Sequence, residues 1–322
     1  MSDDGASDAV VPPEIRAVLE ELFPLEGVSH LGEGASNQVF LVDSGVGKHV
    51  CKLTRPGCVR RLPYEAGILS RLAPGIGPAL VAIRTMEDHL SADLLLQEHV
   101  GGVHMHTLDV RHARLLGERL RVLHSQPATV FEDVAERLDW RDYLASRIHG
   151  QLDLCRSIAP EPLVEAFVGI IDRIAALGGN LSDDLGGRTR SLIHGDLIPL
   201  NVLFTDDKGC LIDWELARLD HSEWDLASVA KAFRFADDAQ DAFWEAYGSV
   251  RNPDILGFVS LLQYCNVALW RACSYYVRGE NRHIATKFLA ELDDELLWLH
   301  ANMPEPHRAS ASASTCEWLM GA

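Results

Sequence analysis

The sequence predicts a bilobal α+β fold, with a small, mostly-β N-terminal lobe that carries one main helix and a larger, mainly α-helical C-terminal lobe. Apolar and polar residues alternate within residues 28–55 on both sides of a Ser-Gly-Val-Gly turn at 44–47, which is typical of a β-hairpin. After Gly101-Gly102 the apolar residues recur at helical spacing instead. Two strand-like pieces, Asn201 to Thr205 and Cys210 to Trp214, interrupt the helical part.

The N-terminal lobe, predicted to span residues 1–98, combines strands with a helix. Residues 63–73 have a helical pattern that ends at Pro74-Gly75, a pair that stops helices. Leu80 to Ile83 and Leu94 to Gln97 are apolar enough to form further strands. The pattern therefore predicts one helix between the strands of a small sheet.

The C-terminal lobe, predicted to span residues 99–308, begins and ends with helical patterns. Its first apolar positions at helical spacing are Ala113, Leu116, Leu120, Leu123, Leu163, Phe167, Ile170, Ile174 and Leu177. The two strand-like pieces are joined by an Asp-Asp-Lys-Gly segment at 206–209, a strong hairpin signal, and helical patterns resume from 226 to 299. Residues 309–322 begin with an Ala/Ser-rich stretch and are predicted to form a disordered tail.

The composition of the 322-residue chain restricts its partners. With 47% hydrophobic and 24% charged residues it is ordinary for a soluble globular protein. A formal net charge of −18 predicts that the surface repels nucleic acid and anionic membranes and attracts cations, so neither a nucleic acid nor a membrane is expected as a partner. The same acidity also serves solubility alone, and this interpretation stays open.

Cysteine usage and the N-terminal residues predict a reducing, cytoplasmic location. The seven cysteines form an odd set without a C-x-x-C pair, which argues against a disulfide framework and against a zinc ribbon. The segment from Met1 to Asp8 is acidic and polar, unlike a signal peptide, and no apolar run reaches about 18 residues. We expect a cytoplasmic protein that is a monomer or a homodimer.

The strongest functional signal is a pair of polar segments that follow apolar ones. The loop at 194–196 reads His-Gly-Asp, and Asn201 stands five positions after Asp196. A second acid, Asp213, stands twelve positions after Asn201 in an Ile-Asp-Trp-Glu segment. Phosphoryl transfer needs an acceptor for the proton of the substrate hydroxyl and oxygen ligands for the magnesium ion at the phosphates. Asp196 suits the first role, and Asn201 and Asp213 suit the second.

This pattern resembles the signature of the aminoglycoside phosphotransferase and choline-kinase-like family, distant relatives of protein kinases, which reads H-G-D-x-x-x-x-N followed by I-D-W/F-E. The resemblance implies a protein-kinase-like fold and the transfer of a phosphate from ATP, with Mg2+, to a hydroxyl group. It also implies that Asp196 is the catalytic residue and that Asn201 and Asp213 bind the metal. Asp225 looks like the buried aspartate that braces the catalytic loop in the family.

The resemblance further implies a nucleotide site in the N-terminal lobe. Gly32, Gly34 and Ser36 are small enough for the backbone to approach a triphosphate, and Ser36 adds a hydroxyl donor. Lys52 resembles the family's phosphate-binding lysine. Glu65 looks like the ion-pair partner of this lysine, and a solvated helical glutamate is the alternative.

A hinge between the lobes is expected where the apolar strand at 94–97 runs into Gly101-Gly102. By resemblance, the backbone carbonyl near Gln97 and the backbone amide near His99 hydrogen-bond the adenine ring. Such contacts leave the identity of the side chains loosely determined.

Substrate recognition in the family belongs to the helical part after Asp213, and here this part is rich in acidic and aromatic residues. The acids predict a cation-binding cleft, with solvated helix faces as the alternative, and they are Asp220, Glu223, Asp237, Asp238, Asp241, Glu245, Glu280, Glu291, Asp293, Asp294 and Glu295. The aromatic residues predict helical core or a cation-accepting box, and they are Trp244, Tyr247, Tyr264, Trp270, Tyr275 and Tyr276. A small, hydroxylated, cationic substrate is expected.

Several functions are compatible with these residues. The first interpretation is a resistance kinase for an aminoglycoside-like antibiotic, favoured by the acidic C-terminal half and by a Leu-His-Ser helix end at 123–125. The second is a metabolic kinase for choline, ethanolamine, a thio-sugar or an amino alcohol. A non-catalytic nucleotide-binding regulatory module is disfavoured because the candidate lysine, both acids and the asparagine are all present. A protein kinase is disfavoured because the sequence has no H-R-D, no D-F-G and, after Asp213, no A-P-E segment that would mark a peptide-docking activation loop.

Overall fold

The computed structural model of the chain describes residues 11–34, 36–86, 92–187, 190–250 and 252–276. Over these residues the predicted α+β architecture is confirmed, with an antiparallel sheet followed by a mainly helical part. The strands are β1 (Leu25–Glu33), β2 (Asn37–Ser44), β3 (Gly47–Thr54), β4 (Leu80–Met86), β5 (Ala92–Glu98), β6 (Thr107–Leu108), β7 (Ser191–Ile193), β8 (Val202–Phe204), β9 (Gly209–Leu211), β10 (Arg218–Asp220) and β11 (Arg234–Phe235). The helices are α1 (Pro13–Leu22), α2 (Leu62–Leu69), α3 (Val110–Ser125), α4 (Trp140–Tyr143), α5 (Gly150–Arg156), α6 (Glu161–Asn180), α7 (Ser182–Gly187), α8 (Glu223–Ala232), α9 (Ala239–Tyr247) and α10 (Pro253–Tyr276).

The N-terminal sheet has the strand order β1-β2-β3-β5-β4, and every neighbouring pair is antiparallel. Ser44 pairs with Gly47, so β2 and β3 are joined by the two-residue loop that the turn signal predicted. β3 lies in the centre of the sheet, with Lys52 opposite Val39 of β2 and Leu95 of β5. Because β3 pairs with β2 on one side and with β5 on the other, the position of the Lys52 backbone is fixed by two neighbouring strands.

One face of the sheet is covered by α1, a helix that the sequence analysis did not predict. Ile15 and Leu19 of α1 are buried in one cluster with Phe40 and Val42 of β2. The helix begins with Pro13, and a proline fits in the first turn because the backbone N–H there has no partner within the helix. Ten residues make only about three turns, which gives a weak periodic signal.

The other face of the sheet joins the helical part of the chain. Side chains alternate along a strand, so Leu94 and Leu96 pack in the cluster beneath α1, whereas Leu95 belongs to a second cluster. That cluster also contains Leu62 and Ile68 of α2 and the cores of the C-terminal helices. One core therefore crosses the lobe boundary expected between residues 98 and 99, and the boundary itself stays a prediction.

Helix α2 is shorter than the predicted range of 63–73. It ends at Leu69, and the chain then turns through Gly75, whose φ is +79°. The carbonyl oxygen of Ile76, a fully buried residue, accepts a hydrogen bond of 2.8 Å from the N–H of Leu211. The segment after α2 is thus used to connect the N-terminal lobe to the hairpin of the helical part.

The hairpin β8–β9 is also shorter than its predicted strands. Pairing ends at Leu211, and Asp213 has a left-handed backbone with a φ of 69°, which no regular strand can continue. Trp214 begins a 3₁₀ turn, and Asn201 ends another that runs over Pro199–Asn201. Asn201 and Asp213 therefore stand just outside the paired strands.

Helix α10 is long and apolar enough to cross a membrane by length and composition, with a hydropathy of 1.2, and no other helix of the described residues passes that test. Within the fold 67% of the apolar window is buried, and α10 packs on α5, α6 and α8. It is therefore a core helix. The predicted helical pattern beyond 276 and the predicted tail at 309–322 lie outside the described residues.

Candidate active site

The loop that carries Asp196 leaves the two-stranded sheet of β7 and β10. Gly195 has a φ of +83°, a conformation that side chains with a Cβ atom rarely adopt. A Cβ atom there would lie 2.2 Å from the carbonyl oxygen of Leu216. Glycine is therefore required for the turn that brings Asp196 to the end of the strand.

The carboxylate of Asp225 braces this loop. It is fully buried and accepts hydrogen bonds from the backbone N–H groups of His194 (2.8 Å) and Gly195 (3.0 Å). Nε2 of His124 lies 3.0 Å from the same carboxylate, and its Nδ1 lies 3.0 Å from the hydroxyl of Tyr247. Burial opposes ionisation, but the hydrogen bond from His124 and the other donors lower the pKa of Asp225 below its ordinary value. This geometry supports the bracing role predicted from the sequence.

Asp196 and Asn201 are hydrogen-bonded to each other. Nδ2 of Asn201 donates to Oδ2 of Asp196 (2.9 Å) and to its backbone carbonyl oxygen (2.8 Å). Because the amide nitrogen is engaged, Oδ1 is the atom of Asn201 that suits a cation. Burial raises the pKa of Asp196, and the nearby carboxylate of Asp213 raises it further. A raised pKa makes Asp196 a better proton acceptor, which suits the role predicted for it.

Three charged side chains from distant parts of the sequence meet opposite this loop. Nζ of Lys52 donates to Oε1 of Glu65 (2.8 Å) and to Oδ1 of Asp213 (2.6 Å). Glu65 is fully buried and also accepts a hydrogen bond of 3.2 Å from the N–H of Trp214. Burial opposes the charge of Lys52, but the two carboxylates raise its pKa above the ordinary value. Glu65 is thus an ion-pair partner and not a solvated helical glutamate.

A cavity of about 460 Å³ lies between the sheet and the hairpin. Part of its wall is apolar and comes from both lobes, with Leu31, Val39, Val50, Leu203 and Ile212. Lys52, Asn201 and Asp213 also line it. An apolar ring system fits between such walls while charged groups hold a phosphate chain, so the cavity has the chemistry of a nucleotide site.

The glycine-containing loop is split between this cavity and the sheet. Gly34 and Ser36 line the cavity, whereas Gly32 belongs to β1 at a point where its register with β2 shifts. The N–H of Gly34 donates to the carbonyl oxygen of Asn37 (2.8 Å), which closes the turn. Gly34 and Ser36 are therefore better placed than Gly32 to approach a phosphate, and their role stays a prediction.

The predicted hinge residues Gln97 and His99 both line the cavity. The N–H of His99 donates to the carbonyl oxygen of Lys48 at 3.2 Å. A hydrogen bond from this amide to adenine therefore requires that Lys48 be displaced or that a neighbouring amide take its place. Val100 and Gly101 follow in the same wall and offer such amides.

The oxygen donors near Lys52 fit a magnesium ion. Asn201, Asp213 and Glu215 all line the cavity of about 460 Å³, which we call the nucleotide cavity. Oε2 of Glu215 is buried without a hydrogen-bond partner among the described residues. Burial raises the pKa of Glu215, and the carboxylate of Asp213 raises it further, so a divalent cation would relieve both effects. Carboxylate and amide oxygens are the ligands that Mg2+ prefers.

A second cavity, of about 500 Å³, adjoins the catalytic loop and is lined by Asp196. We call it the basic cavity, because its described lining contains the cations Arg147, Arg218, Lys231 and Arg271. Asp196 is the one carboxylate among its described lining residues. Since Asn201 lines the nucleotide cavity, the hydrogen bond between Asp196 and Asn201 lies where the two cavities adjoin.

The acidic cleft expected from the C-terminal acids is not formed by those that the structure describes. Asp220 is buried and accepts a hydrogen bond of 3.0 Å from Nε of Arg218, and buried Glu223 accepts one of 2.9 Å from the N–H of Asn252. Both are structural. The remaining described acids also lie outside the lining of the basic cavity, and they are Asp237, Asp238, Asp241 and Glu245. The acids from 280 to 295 lie outside the described residues.

The aromatic residues expected near the substrate are mostly elsewhere. All six are described, and of these Trp270 alone lines the basic cavity, where Tyr143 and Trp224 join it. Trp244 and Tyr264 line a separate cavity of about 210 Å³. Helical periodicity could not separate core aromatics from those that face a cavity, because both recur at the same spacing.

Comparison with known proteins assigns this geometry to a family. A sequence profile described as the phosphotransferase enzyme family, APH, matches residues 27–258. The chain belongs to the APH family. Among its relatives is the homoserine kinase of Xanthobacter autotrophicus, which is 28% identical over 242 residues and is matched over 71% of this chain and 72% of its own length.

Solved APH-like structures share the fold at low sequence identity. A spectinomycin phosphotransferase, crystallised with ADP and spectinomycin, superposes with a TM-score of 0.63 at 14% identity and covers 91% of this chain and 99% of its own. The choline kinase LicA of Streptococcus pneumoniae superposes with a TM-score of 0.62 at 19% identity, over 88% and 98% of the two chains. Membership of the APH family confirms the family resemblance and the prediction of a kinase whose acceptor is an alcohol group.

The sequence analysis missed the cations that line the basic cavity beside the loop of Asp196. Arg218 stands five positions after Asp213 and begins the buried strand β10, with the apolar residues Ala217 before it and Leu219 after it. A single arginine in an apolar run is the signal that was available, because a buried cation needs a partner or a ligand. The other three cations lie on separate helical segments, and only the fold brings them together.

Proposed function

We propose that this chain is an ATP-dependent, Mg2+-requiring O-phosphotransferase whose small-molecule acceptor binds in the basic cavity. The observation that carries the proposal is the hydrogen bond of 2.9 Å between Asn201 and Asp196, since each residue lines a different cavity. A nucleotide in one cavity and an alcohol in the other would meet at this pair. Asp196 is then the residue beside the attacking hydroxyl.

The reaction follows from the two cavities. The acceptor oxygen forms a bond to the γ-phosphorus of ATP, the bond from that phosphorus to the bridging oxygen breaks, and ADP leaves with the electron pair. Asp196 orients the hydroxyl and accepts its proton, for which its raised pKa is favourable. Lys52 neutralises phosphate charge and is held in place by Glu65. A magnesium ion held by Asn201 and Asp213 supplies further neutralisation of the phosphate charge when bound.

The lining of the basic cavity restricts the class of acceptor. An aminoglycoside or another cation was expected, but the described lining of the basic cavity supplies four cations and one carboxylate. Polycations need several carboxylates, which the described lining lacks. Choline-type ligands need aromatic faces, and of the three aromatic residues in this lining Trp224 is already in contact with the guanidinium of Arg218. The similarity to homoserine kinases makes homoserine a candidate acceptor. The cytoplasmic location and the monomer or homodimer state stay predictions.

Acceptor-dependent ADP release tests the function. The purified protein is incubated with MgATP and, in separate reactions, with homoserine, choline, a thio-sugar and an aminoglycoside. At least one alcohol is expected to increase ADP release, and Asp196→Asn is expected to lower that rate by about 1,000-fold or more while nucleotide binding persists. Unchanged turnover in Asp196→Asn would remove the assignment.

A further inference from the structure

The guanidinium of Arg218 has a fixed place beside the catalytic loop. Arg218 lies in β10 opposite Ile193 of β7, the strand that leads to Asp196. Its Nη1 atom lies 3.0 Å from where a Cβ atom of Gly195 would stand. Arg218 also lines the basic cavity together with Asp196. A ligand group held by Arg218 is therefore held close to the proposed reaction centre.

The surroundings of Arg218 satisfy only part of its guanidinium. Nε donates to Oδ2 of Asp220 (3.0 Å), and the guanidinium carbon lies 4.7 Å from the ring centre of Trp224. The residue is only 8% exposed, yet its Nη2 atom has no hydrogen-bond partner among the described residues. Buried guanidinium nitrogens are costly without an acceptor, so this atom indicates a ligand.

The charge around Arg218 defines the sign of that ligand. Arg147, Lys231 and Arg271 line the same cavity, and Asp196 is the one carboxylate among the described lining residues. Asp220 neutralises part of the charge of Arg218, and Lys231 and Arg271 also interact with other groups, so the unpartnered Nη2 atom of Arg218 is the more specific signal. The described lining therefore favours a ligand that carries an anionic group over a ligand whose only charges are positive.

We propose, on the basis of the function proposed above, that the acceptor is an alcohol carrying a carboxylate group, and that Nη2 of Arg218 binds this carboxylate. Arg218 already shares its charge with Asp220 at 3.0 Å, which suits a singly charged carboxylate better than a doubly charged phosphate. Oε1 of Gln151, which is buried without a partner among the described residues and lines the same cavity, suits an N–H or O–H donor elsewhere on the ligand. Hydroxyl-bearing amino acids meet both requirements, because their amine supplies the second donor, whereas short hydroxy acids meet the first requirement alone.

Matched acceptors test the carboxylate directly. Homoserine and γ-hydroxybutyrate carry the carboxylate with and without an amine, whereas the α-amide of homoserine and aminopropanol lack it. Homoserine or γ-hydroxybutyrate is expected to be phosphorylated with a kcat/KM at least about tenfold above that of the two compounds without a carboxylate. Equal or better turnover of the amide, of aminopropanol, of choline or of an aminoglycoside would overturn the proposal, and so would turnover confined to phosphate-bearing alcohols.

Arg218→Lys tests the residue, because lysine keeps the charge beside Asp220 and Trp224 but loses the planar pair of nitrogens. We expect kcat/KM for the carboxylate acceptor to fall by about tenfold or more, with an unchanged KM for ATP and an unchanged rate with the amide. Arg156→Lys is the matched control, since Arg156 is exposed on α5, pairs with Asp153 and lies outside the basic cavity. An equal response of the two variants would overturn the role of Arg218.

A binding measurement separates this proposal from the proposed function. Titration calorimetry with γ-hydroxybutyrate, in the presence of MgADP, is expected to show binding by the native protein and weaker binding by Arg218→Lys. Carboxylate binding without acceptor-dependent ADP release would overturn the proposed function and leave the binding site standing. Acceptor-dependent ADP release without carboxylate binding would overturn the carboxylate site at Arg218 and leave the proposed function standing.

Discussion

Nζ of Lys52 lies 2.6 Å from Oδ1 of Asp213, although 161 positions separate the two residues in the sequence. Lys52 comes from the central strand of the N-terminal sheet, and Asp213 comes from a left-handed turn after β9. Glu65 completes the contact from α2. A strand of the N-terminal sheet and a turn of the helical part thus bring one cation into contact with one candidate metal ligand. The proposed nucleotide would touch both parts of the chain, so its binding would depend on their relative position.

Replacing Lys52 with methionine should remove most turnover. The variant loses the cation that is proposed to face the phosphates and removes the ion-pair partner of buried Glu65, so we expect kcat/KM for ATP to fall by about 100-fold or more, with a loss of several °C in Tm. Steady-state kinetics at varied ATP and a thermal melt measure the two effects separately.

Lys48→Met is the matched control for this variant. Lys48 lies on the same strand, is 55% exposed and pairs loosely with Asp43 at 3.8 Å. Its loss should leave the KM for ATP and the Tm almost unchanged. Lys52→Arg keeps the charge and separates a folding defect from a loss of phosphate contact. A Lys52→Met protein with the native KM for ATP would contradict the assignment.

Replacing Asp225 with asparagine should destabilise the catalytic loop. The amide would present an NH2 group to the N–H donors of His194 or Gly195, and we expect the free energy of unfolding at pH 7 to fall by about 2–3 kcal/mol, with a lower kcat. Asp172→Asn, an exposed change on α6, should alter neither quantity. Urea unfolding and steady-state kinetics measure both.

The loss caused by Asp225→Asn should depend on pH in a defined direction. The pKa of Asp225 in the folded protein is below its ordinary value of 3.8, so the ionised carboxylate stabilises the fold above that pH. This contribution disappears as the pH falls through the lower folded-state pKa. The difference in unfolding free energy between the native protein and Asp225→Asn should therefore be constant near neutral pH and shrink below about pH 4. A difference that grows on acidification would contradict the low pKa.

The sequence predicted the chemistry better than the substrate pocket. Asp196, Asn201 and Asp213 were predicted from a motif on one loop and one hairpin; the structure joins Asp196 to Asn201 by a hydrogen bond and places Asn201 and Asp213 in the wall of one cavity, and their roles stay predictions. Lys52 and Glu65 required the family resemblance, since the 13 positions between them follow from no local rule.

Arg218 was not predicted because its significance arises from packing. The strand residue becomes informative only once β10 pairs with β7 and Trp224 covers the guanidinium. Charge counting along the helices favoured acids instead. It failed for Asp220 and Glu223, which are buried in structural hydrogen bonds, because a one-dimensional charge count cannot distinguish a cavity wall from the interior of the fold.

Replacing Glu215 with glutamine should lower the affinity of the site for Mg2+ without abolishing nucleotide binding. Oε2 of Glu215 is buried in the nucleotide cavity beside Asp213, and the removal of its charge takes away attraction for a divalent cation. We expect the magnesium concentration for half-maximal turnover to rise by about tenfold, and chelation by EDTA to stop turnover in both proteins. Glu165→Gln on the exposed face of α6 is the control. An unchanged magnesium dependence would show that Glu215 does not face the metal.

Two glycine-to-alanine changes should have opposite effects on stability. At Gly195 a Cβ atom would lie 2.2 Å from the carbonyl oxygen of Leu216, and the φ of +83° is unfavourable for alanine. Gly195→Ala should therefore lower the free energy of unfolding by about 3 kcal/mol or more and displace Asp196. At Gly169, inside α6, a Cβ atom would meet nothing within 4 Å, and alanine is the better helix former. Gly169→Ala should therefore raise the free energy of unfolding by up to about 1 kcal/mol. Urea unfolding of both variants, with ADP release as a second readout, checks the pair. A Gly195→Ala protein with native stability and native turnover would show that the loop does not need the left-handed turn, and the position assigned to Asp196 would have to be abandoned.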